Sequence, residues 1–490
     1  MTPPDLRPYQ IRAIDAARGL VRASKKRIII VAPTGSGKTI LAASMIHSAV
    51  QRGGRVLFLA HRAELLEQCS ARLDAVGVDH GIIQAKHWRT DAARPVQVAS
   101  VQSLVRREKP PATLLFIDEC HRARAATYTK ILESYPGAVV IGLTATPTRA
   151  DGKGLGGELF QEMIIVAQPR ELIEQGYLVP FSGYGFENPD LSGVHSARGD
   201  YVEGELAAAV GTTRIIGGIV ERWREHAAGV RTVVFAVNCA HSRQIVDSFK
   251  AAGIAAEHVD GETPADERAA ILARLAGGET RVVSNVDLLT EGFDLPTLEC
   301  CVLARPTKSA RIFLQAIGRV MRPAPGKAMA RIHDHSGALL YHGLPDEDRQ
   351  WSLSLDQVVG AARVKQCKAC FACYAPGPSA CPQCGFREER DPNQPARGVE
   401  EMQQEILSID EIRHLRASSS DDKAAEYKRL KAVGERLGHA PGWASHEYRR
   451  TYAVWPRFAS GVLERAVAAS APPMPLDKLR VLFAKEGERQ

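Results

Sequence analysis

Residues 28–39 read IIIVAPTGSGKT. Four β-branched residues in a row make a strand-sized apolar run, far too short to cross a bilayer. Within 32–39 the spacing G-x-x-x-x-G-K-[ST] is kept, with Ala32 in the first glycine place. Gly35 and Gly37 let the backbone wrap an anion. The N–H groups of Thr34, Gly35, Ser36 and Gly37, and those of the helix that follows, then face phosphate oxygens. Lys38 would reach the β- and γ-phosphates of a nucleotide and Thr39 would ligate Mg²⁺. A strand before the loop and a helical pattern after it make this the first unit of an α/β nucleotide-binding domain.

Working outward, strand-sized runs alternate with helix-length segments. Runs at 27–33, 55–61, 96–101, 113–119 and 139–146 read as buried parallel strands, and a second series follows at 232–238, 255–261, 281–287, 299–305 and 331–334. Two such series predict two doubly wound parallel-sheet domains. The expected boundaries are a first domain at 1–180, a connector at 181–212, a second domain at 213–345, a metal-binding module at 346–390 and a helical C-terminal region at 391–490. The segment 181–213 is rich in glycine and polar residues and reads as a link between the domains, with room for local strands.

The fourth run ends in FIDECH, residues 116–121. Asp118 is placed to hold Mg²⁺, and Glu119 to orient and deprotonate an attacking water. Cys120 is a spacer. In the second series, QAIGRVMR at 315–322 sets Arg319 and Arg322 three residues apart, on one face if helical. Guanidinium groups grip phosphate in bidentate fashion. If the two domains face each other, both arginines act on the γ-phosphate held by the first.

With these residues in place the chain resembles a superfamily 2 helicase of the DEAD/DEAH-box type over roughly residues 5–340. LRPYQ at 6–10 resembles the entry motif, whose glutamine, here Gln10, reads adenine. DECH at 118–121 and TAT at 144–146 resemble motifs II and III, and FLAHRAELLEQ at 58–68 and VASVQSL at 98–104 resemble strand-contacting motifs. TVVFAVNCAHSRQI at 232–245, LTEGFD at 289–294 and residues 315–322 resemble motifs IV, V and VI. The resemblance implies two tandem RecA-like domains and ATP hydrolysis. It gives His121, Thr144 and Gln315 a coupling role. Gly292 and Asp294 would approach the nucleotide, with Arg319 and Arg322. Arg62, Gln102, Ser103 and Thr290 would touch the sugar-phosphate backbone, a grip that reads no sequence.

Residues 146–180 resemble bacterial and prophage helicases that share the motor of type III restriction subunits. RadD-like DNA repair helicases also combine a LRPYQ start, a DECH box and a C-terminal four-cysteine cluster. The implied function is an ATP-dependent DNA helicase or translocase in DNA repair, recombination or phage DNA metabolism. The alternatives are an ATP-switched nucleic-acid clamp without unwinding and an RNA helicase. The implied partner is single-stranded or forked DNA gripped by its backbone. A protein partner would dock through the metal module and tail.

Five of the chain's 10 cysteines fall within CKACFACYAPGPSACPQC, residues 367–384. Cys381 and Cys384 form one C-x₂-C knuckle, and its partner is either Cys367/Cys370 or Cys370/Cys373. The resemblance favours Cys367 and Cys370, because related helicases place the pair just before a Phe-Ala step. Zinc suits two separated knuckles better than an iron–sulfur cluster. Farther on, Tyr448, Tyr452 and Trp455 recur at helical spacing among Arg449, Arg450 and Arg457. They read as the apolar stripe of a small helical domain rather than a base-stacking platform.

Composition agrees with these readings. The chain has 490 residues, 45% apolar and 24% charged, with a net charge of +7. That charge permits an anionic partner without demanding one. No basic region followed by an apolar run opens the sequence, so a cytoplasmic protein with no membrane partner is expected. Five scattered cysteines beside one cluster argue for reduced thiols and one metal site. His333 and His335 are expected as packing residues.

Overall fold

The computed structural model describes residues 6–123, 126–147, 154–157, 159–186, 189–197, 199–289, 295–353 and 364–388, together with 427, 430, 431 and 444. Residues 1–388 form one compact unit and 389–490 a second. In the second unit Tyr427, Leu430, Lys431 and Ala444 are helical, and all but Lys431 are buried. Tyr448, Tyr452, Trp455 and their arginines lie outside the described residues, as do Thr290, Gly292 and Asp294.

The strands of the first unit are, in order, β1 (Arg27–Val31), β2 (Val56–Ala60), β3 (His80–Ile83), β4 (Val96–Ser100), β5 (Leu114–Asp118), β6 (Val139–Thr144), β7 (Glu162–Ile165) and β8 (Phe181–Gly185). They continue with β9 (Ser196–Ala197), β10 (Asp200–Tyr201), β11 (Thr232–Phe235), β12 (Ala256–Val259) and β13 (Val282–Asn285). The last four are β14 (Cys300–Leu303), β15 (Ala330–Asp334), β16 (Lys365–Gln366) and β17 (Ala372–Tyr374). Among the described residues the first sheet runs β3-β4-β2-β5-β6-β1-β7, with every pairing parallel. The second runs β12-β13-β11-β14-β15-β8-β17-β16 and is parallel from β12 to β8. These are two tandem RecA-like domains, each with helices between its strands.

Every strand expected from the apolar runs is present, all but the last trimmed by a residue or more, and the last, β15, longer by one residue. Ile28, Ile29 and Ile30 are fully buried in β1 because helices cover both faces of a parallel sheet. Two strands of the first sheet were not anticipated. β3 is only four residues long, and β7 alternates too little apolar surface to announce itself.

The segment 181–212 is not a passive connector. Its first five residues are β8, which pairs in parallel with β15, Ile332 opposite Gly183. Farther along, Asp200 accepts from the Thr307 hydroxyl at 2.8 Å and from the Lys308 N–H at 2.8 Å, fastening the segment to the second domain. Nor is the cysteine-rich segment a separate lobe. β17 pairs antiparallel with β8, Cys373 opposite Gly183, so the cysteine module continues the second sheet. Glycine and polar composition obscured the place of β8 in this sheet, because its burial comes from pairing with residues far away in sequence.

Candidate active site

The phosphate loop follows β1 and turns through Gly35 (φ 89°) and Gly37 (φ 83°), conformations that only glycine adopts without strain. The helix Lys38–Val50 begins directly after Gly37. Ser36 is buried, and its hydroxyl donates to the Pro33 carbonyl at 2.7 Å. Lys38 donates to the Ala32 carbonyl at 3.2 Å, which holds the side chain back over its own loop. Burial pulls the Lys38 pKa down, and the carboxylates of Glu119 and Asp118 oppose that pull. Arg319 and Arg322 reinforce the downward shift, so all four groups act on the same ammonium.

Asp118 ends β5 on a strand buried on both faces, and Glu119 follows in a left-handed conformation, φ 49° and ψ 53°. A glutamate seldom adopts that geometry. Strain of this kind is concentrated where a side chain must be aimed. The Glu119 N–H donates to Asp118 Oδ1 at 3.1 Å, and Glu119 Oε2 lies 3.3 Å from His121 Nδ1. His121 therefore touches the expected water-activating carboxylate directly. Cys120 is fully buried, and burial pushes its thiol pKa well up, as suits a spacer.

Residues from both domains line one cleft of about 430 Å³. Thr34, Gly35, Gly37, Lys38, Thr39, Asp118 and Glu119 come from the first domain, and Pro296, Arg319 and Arg322 from the second. The sheets meet through specific contacts. The Val179 N–H donates to the Met321 carbonyl at 2.9 Å, and Glu64 pairs with Arg268 at 2.8 Å. Lys327 donates to the carbonyls of Pro296 (3.0 Å) and Arg322 (2.7 Å), fixing the end of the arginine segment. Burial lowers the Lys327 pKa to about 8. Nothing in the local sequence around Lys327 announced this bracing role.

Gln10, the residue expected to read adenine, lies against the phosphate loop. It is buried beneath the phosphate loop. Its amide nitrogen donates to the carbonyls of Ser36 (2.9 Å) and Gly37 (3.4 Å), and its oxygen accepts from the Arg7 N–H at 3.0 Å. Tyr9 adds a second donor to the Ser36 carbonyl at 2.9 Å. Both side chains thus buttress the loop from below.

The other expected residues are placed as follows. Thr144 is fully buried at the end of β6, its hydroxyl donating to the Thr146 carbonyl at 2.8 Å. Gln315 is buried, and its oxygen accepts from Arg311 at 3.3 Å. Arg62 reaches across to the second domain, donating to the carbonyls of Asp287 and Leu288 at 3.4 Å each. Gln102 donates to the His61 carbonyl at 3.1 Å, and Ser103 lies half-buried beside it in the short helix Val101–Leu104. Arg62, Gln102 and Ser103 are therefore grouped at the carboxyl ends of β2 and β4.

The sulfurs of Cys367, Cys370, Cys381 and Cys384 all lie within 4.8 Å of one another. Cys367 and Cys384 are 3.7 Å apart, as are Cys370 and Cys381. A tetrahedron with metal–sulfur bonds of about 2.3 Å has edges of about 3.8 Å, close to these two separations, so the four donors suit Zn²⁺. The turns are of knuckle type. The Phe371 N–H donates to the Cys367 carbonyl and the Gly385 N–H to the Cys381 carbonyl, with Gly385 at φ 74°. Cys373 is outside this group. It is 7% exposed and points into the core of the second sheet, where burial pushes its thiol to about 12. His333 and His335 are also buried, packed against Tyr184 and Phe186.

Comparison with known proteins adds to this geometry. The family model for the type III restriction enzyme res subunit matches residues 4–149, and that for the helicase conserved C-terminal domain matches residues 214–324. A 51.5 kDa protein of a Lactococcus phage is 33% identical over 366 residues, which cover 73% of this chain and 77% of the phage protein. The putative ATP-dependent helicase IRC3 of Saccharomyces cerevisiae is 33% identical over 359 residues, 68% of this chain and 52% of the yeast protein. The chain thus spans about half the length of that yeast relative. Among solved structures, the fragment of a putative HsdR subunit of a type I restriction enzyme from Vibrio vulnificus superposes with a TM-score of 0.56 at 24% identity, covering 71% of this chain and 68% of the fragment. The type ISP restriction-modification enzyme LlaBIII bound to DNA gives 0.53 at 19% identity, covering 68% of this chain and 28% of that one. At these identities the two structures bear on the fold alone.

Proposed function

Because this chain belongs to the superfamily 2 helicases, with a motor like that of the type III restriction subunits, we propose that it hydrolyses ATP to move along DNA or remodel it. The observation that carries this reading is the single cleft lined by the phosphate loop and Asp118-Glu119 on one side and Arg319 and Arg322 on the other. Phosphoryl transfer needs little covalent help from a protein. Positioning and charge stabilisation supply most of the acceleration.

Loop N–H groups and Lys38 would cradle the phosphates. Thr39 and Asp118 would hold Mg²⁺, which when bound neutralises charge on the β- and γ-oxygens. Glu119, kept in its strained conformation beside His121, would take the proton of the attacking water. Arg319 and Arg322 would balance the negative charge that develops on the transferred group, so turnover requires both domains. Binding would draw the domains together and hydrolysis would release them, and that alternation would advance Arg62, Gln102 and Ser103 along a backbone.

Translocation or remodelling suits the chain better than a built-in wedge. Between residues 295 and 314 the described structure is β14 with short turns and the start of the helix Ala310–Gly318, and no hairpin projects there. A role in phage DNA metabolism, repair or recombination goes with this reading, and one relative of the chain is encoded by a Lactococcus phage. The cysteine cluster supports Zn²⁺ as a structural ion. No helix among the described residues is long and apolar enough to cross a membrane.

The test is ATP turnover with single-stranded, duplex and forked DNA and with RNA, at stated salt, alongside displacement of a labelled strand and of a bound protein block. DNA should stimulate turnover, and Lys38→Ala and Glu119→Gln should abolish it. Stimulated turnover that persists in both variants sinks the site assignment. Slow hydrolysis with no displacement of either kind points instead to an ATP-switched clamp, and stimulation by RNA alone to an RNA helicase.

A further inference from the structure

Trp88 is 81% exposed, the most exposed large apolar side chain among the described residues. It sits in the turn between β3 and β4, and that turn is fixed. The Ile82 N–H donates to the Arg89 carbonyl at 2.9 Å, the Arg89 N–H to His87 Nδ1 at 3.1 Å, and the Thr90 hydroxyl to the His87 carbonyl at 2.7 Å. The neighbours of the indole are anchored as well. The Arg89 guanidinium lies 5.0 Å from the ring centroid and is held by Asp74 at 2.8 Å and Ser70 at 2.9 Å. The His87 ring stacks at 5.8 Å and is tied to Glu67 at 2.9 Å. A tryptophan held this firmly in water gains nothing for folding, since most of its surface stays wet.

Its position gives it a use. β3, β4 and β2 are parallel neighbours, with Ile83 opposite Ala99 and Ser100 opposite Ala60, so the segments leaving them emerge along one edge. Gln102 binds the His61 carbonyl, and just beyond its helix Arg107 donates to the Ala85 carbonyl at 2.9 Å. A chain of contacts therefore joins the Arg62 segment to the Trp88 turn. The two loops carry Lys86, Arg89, Arg94, Arg106, Arg107 and Lys109 against Asp91 and Glu108; Asp74 pairs with Arg89, and Asp79 and Asp91 pair with Arg94, so the remaining positive charge of the loops comes from Lys86, Arg106, Arg107 and Lys109. An exposed aromatic face beside these cations suits an unpaired nucleobase, whose ring stacks while its phosphate meets them.

We propose that Trp88 is a base-stacking residue that holds one unpaired nucleotide at the outer edge of the first domain, beyond the backbone-gripping group of Arg62, Gln102 and Ser103. This rests on the DNA reading above. The turn contributes no residue to the ATP cleft, so its effect falls on strand binding alone.

The experiment measures binding of the full chain, wild type, Trp88→Ala and Trp88→Phe, to a single-stranded oligodeoxynucleotide and to an abasic one of equal length, at stated salt. Trp88→Ala should weaken binding to the base-bearing strand about tenfold. Trp88→Phe should retain most of the affinity, and the abasic strand should bind all three proteins alike. Turnover without DNA should be the same in all three. Equal weakening on both strands, or none on either, overturns the stacking role, and the second outcome leaves the ring to a protein partner. A wild type that binds neither strand fails the DNA reading itself, and this inference with it.

Discussion

Gly318 lies against Thr34: a Cβ built on the glycine would fall 2.4 Å from the Cβ of Thr34 and 3.0 Å from its hydroxyl oxygen. The arginine-bearing segment of the second domain can therefore seat on the phosphate loop only because residue 318 has no side chain. Gly318 ends the helix Ala310–Gly318 and is not among the positive-φ residues, so alanine meets no backbone penalty there. By helix propensity alone the substitution is favourable by up to about 1 kcal/mol. Gly318→Ala should leave each domain folded, keep ATP bound to the first domain, and cut turnover on the order of 100-fold by misplacing Arg319 and Arg322. Turnover within twofold of wild type would show that catalysis does not need this approach.

Arg62 offers a cleaner division between two roles. Its sequence context marks a phosphate contact, yet its guanidinium donates to the Asp287 and Leu288 carbonyls across the cleft. Removing a phosphate contact lowers the slope of log affinity against log salt by about 1. If the bridge dominates, Arg62→Ala should reduce DNA-stimulated turnover while leaving that slope unchanged. A slope that falls by about 1 assigns Arg62 to the strand.

Acid should destabilise the motor before its carboxylates titrate. Burial holds His241 and His342 down to about 4 and His335 to about 3. The unfolded chain takes up these protons near pH 6.5, and the folded chain refuses them until much lower pH. Stability is therefore fully present above about pH 6.5 and is lost as pH falls toward 4, by up to about 1.4 kcal/mol per pH unit for each histidine. Denaturant midpoints at pH 7.5, 6.5 and 5.5 should show a plateau and then a decline. His342→Gln keeps an amide donor for the Thr307 carbonyl and should make the decline shallower by about one proton. A flat profile down to pH 5.5 contradicts the burial of these rings.

Most of the first domain could be read from its residues because its information is local. β1, β2 and β5 are largely continuous apolar runs, and the phosphate loop, Asp118 and Glu119 sit at strand ends where spacing alone locates them. What escaped the reading depends on contacts between distant segments. β8 is a strand because β15 lies beside it, and Gly183 and Gly185 give no hint of that. Gln10 turns under the loop because Ser36 and Gly37 offer it carbonyls. The spacing of the cysteines left two pairings open, since both fit the same knuckle. Three-dimensional distance separates them, placing Cys367 with Cys384 and sending Cys373 into the sheet.

The pairing of β17 with β8 turns the metal question into one about the motor. Cys370 and Cys373 flank the Phe371-Ala372 step, so one cysteine of this short segment belongs to the metal group and the next to the sheet core. The Gly185 N–H donates to the Phe371 carbonyl at 2.9 Å, and the space over Gly185 is closed by the Cys373 sulfur, 3.0 Å from where a Cβ would stand. Cys367→Ser should lose the zinc and release the β16–β17 edge, lowering the melting temperature of the whole unit rather than of a detached module. Cys373→Ser should keep one zinc per chain but bury a hydroxyl among apolar neighbours, at a cost of about 1–3 kcal/mol. For domains of this size that is a fall in melting temperature of several degrees. Metal analysis and thermal unfolding, run on both variants, separate the two effects. Zinc lost from Cys373→Ser, or a Cys367→Ser protein that melts like wild type, would contradict this division of labour between the two cysteines.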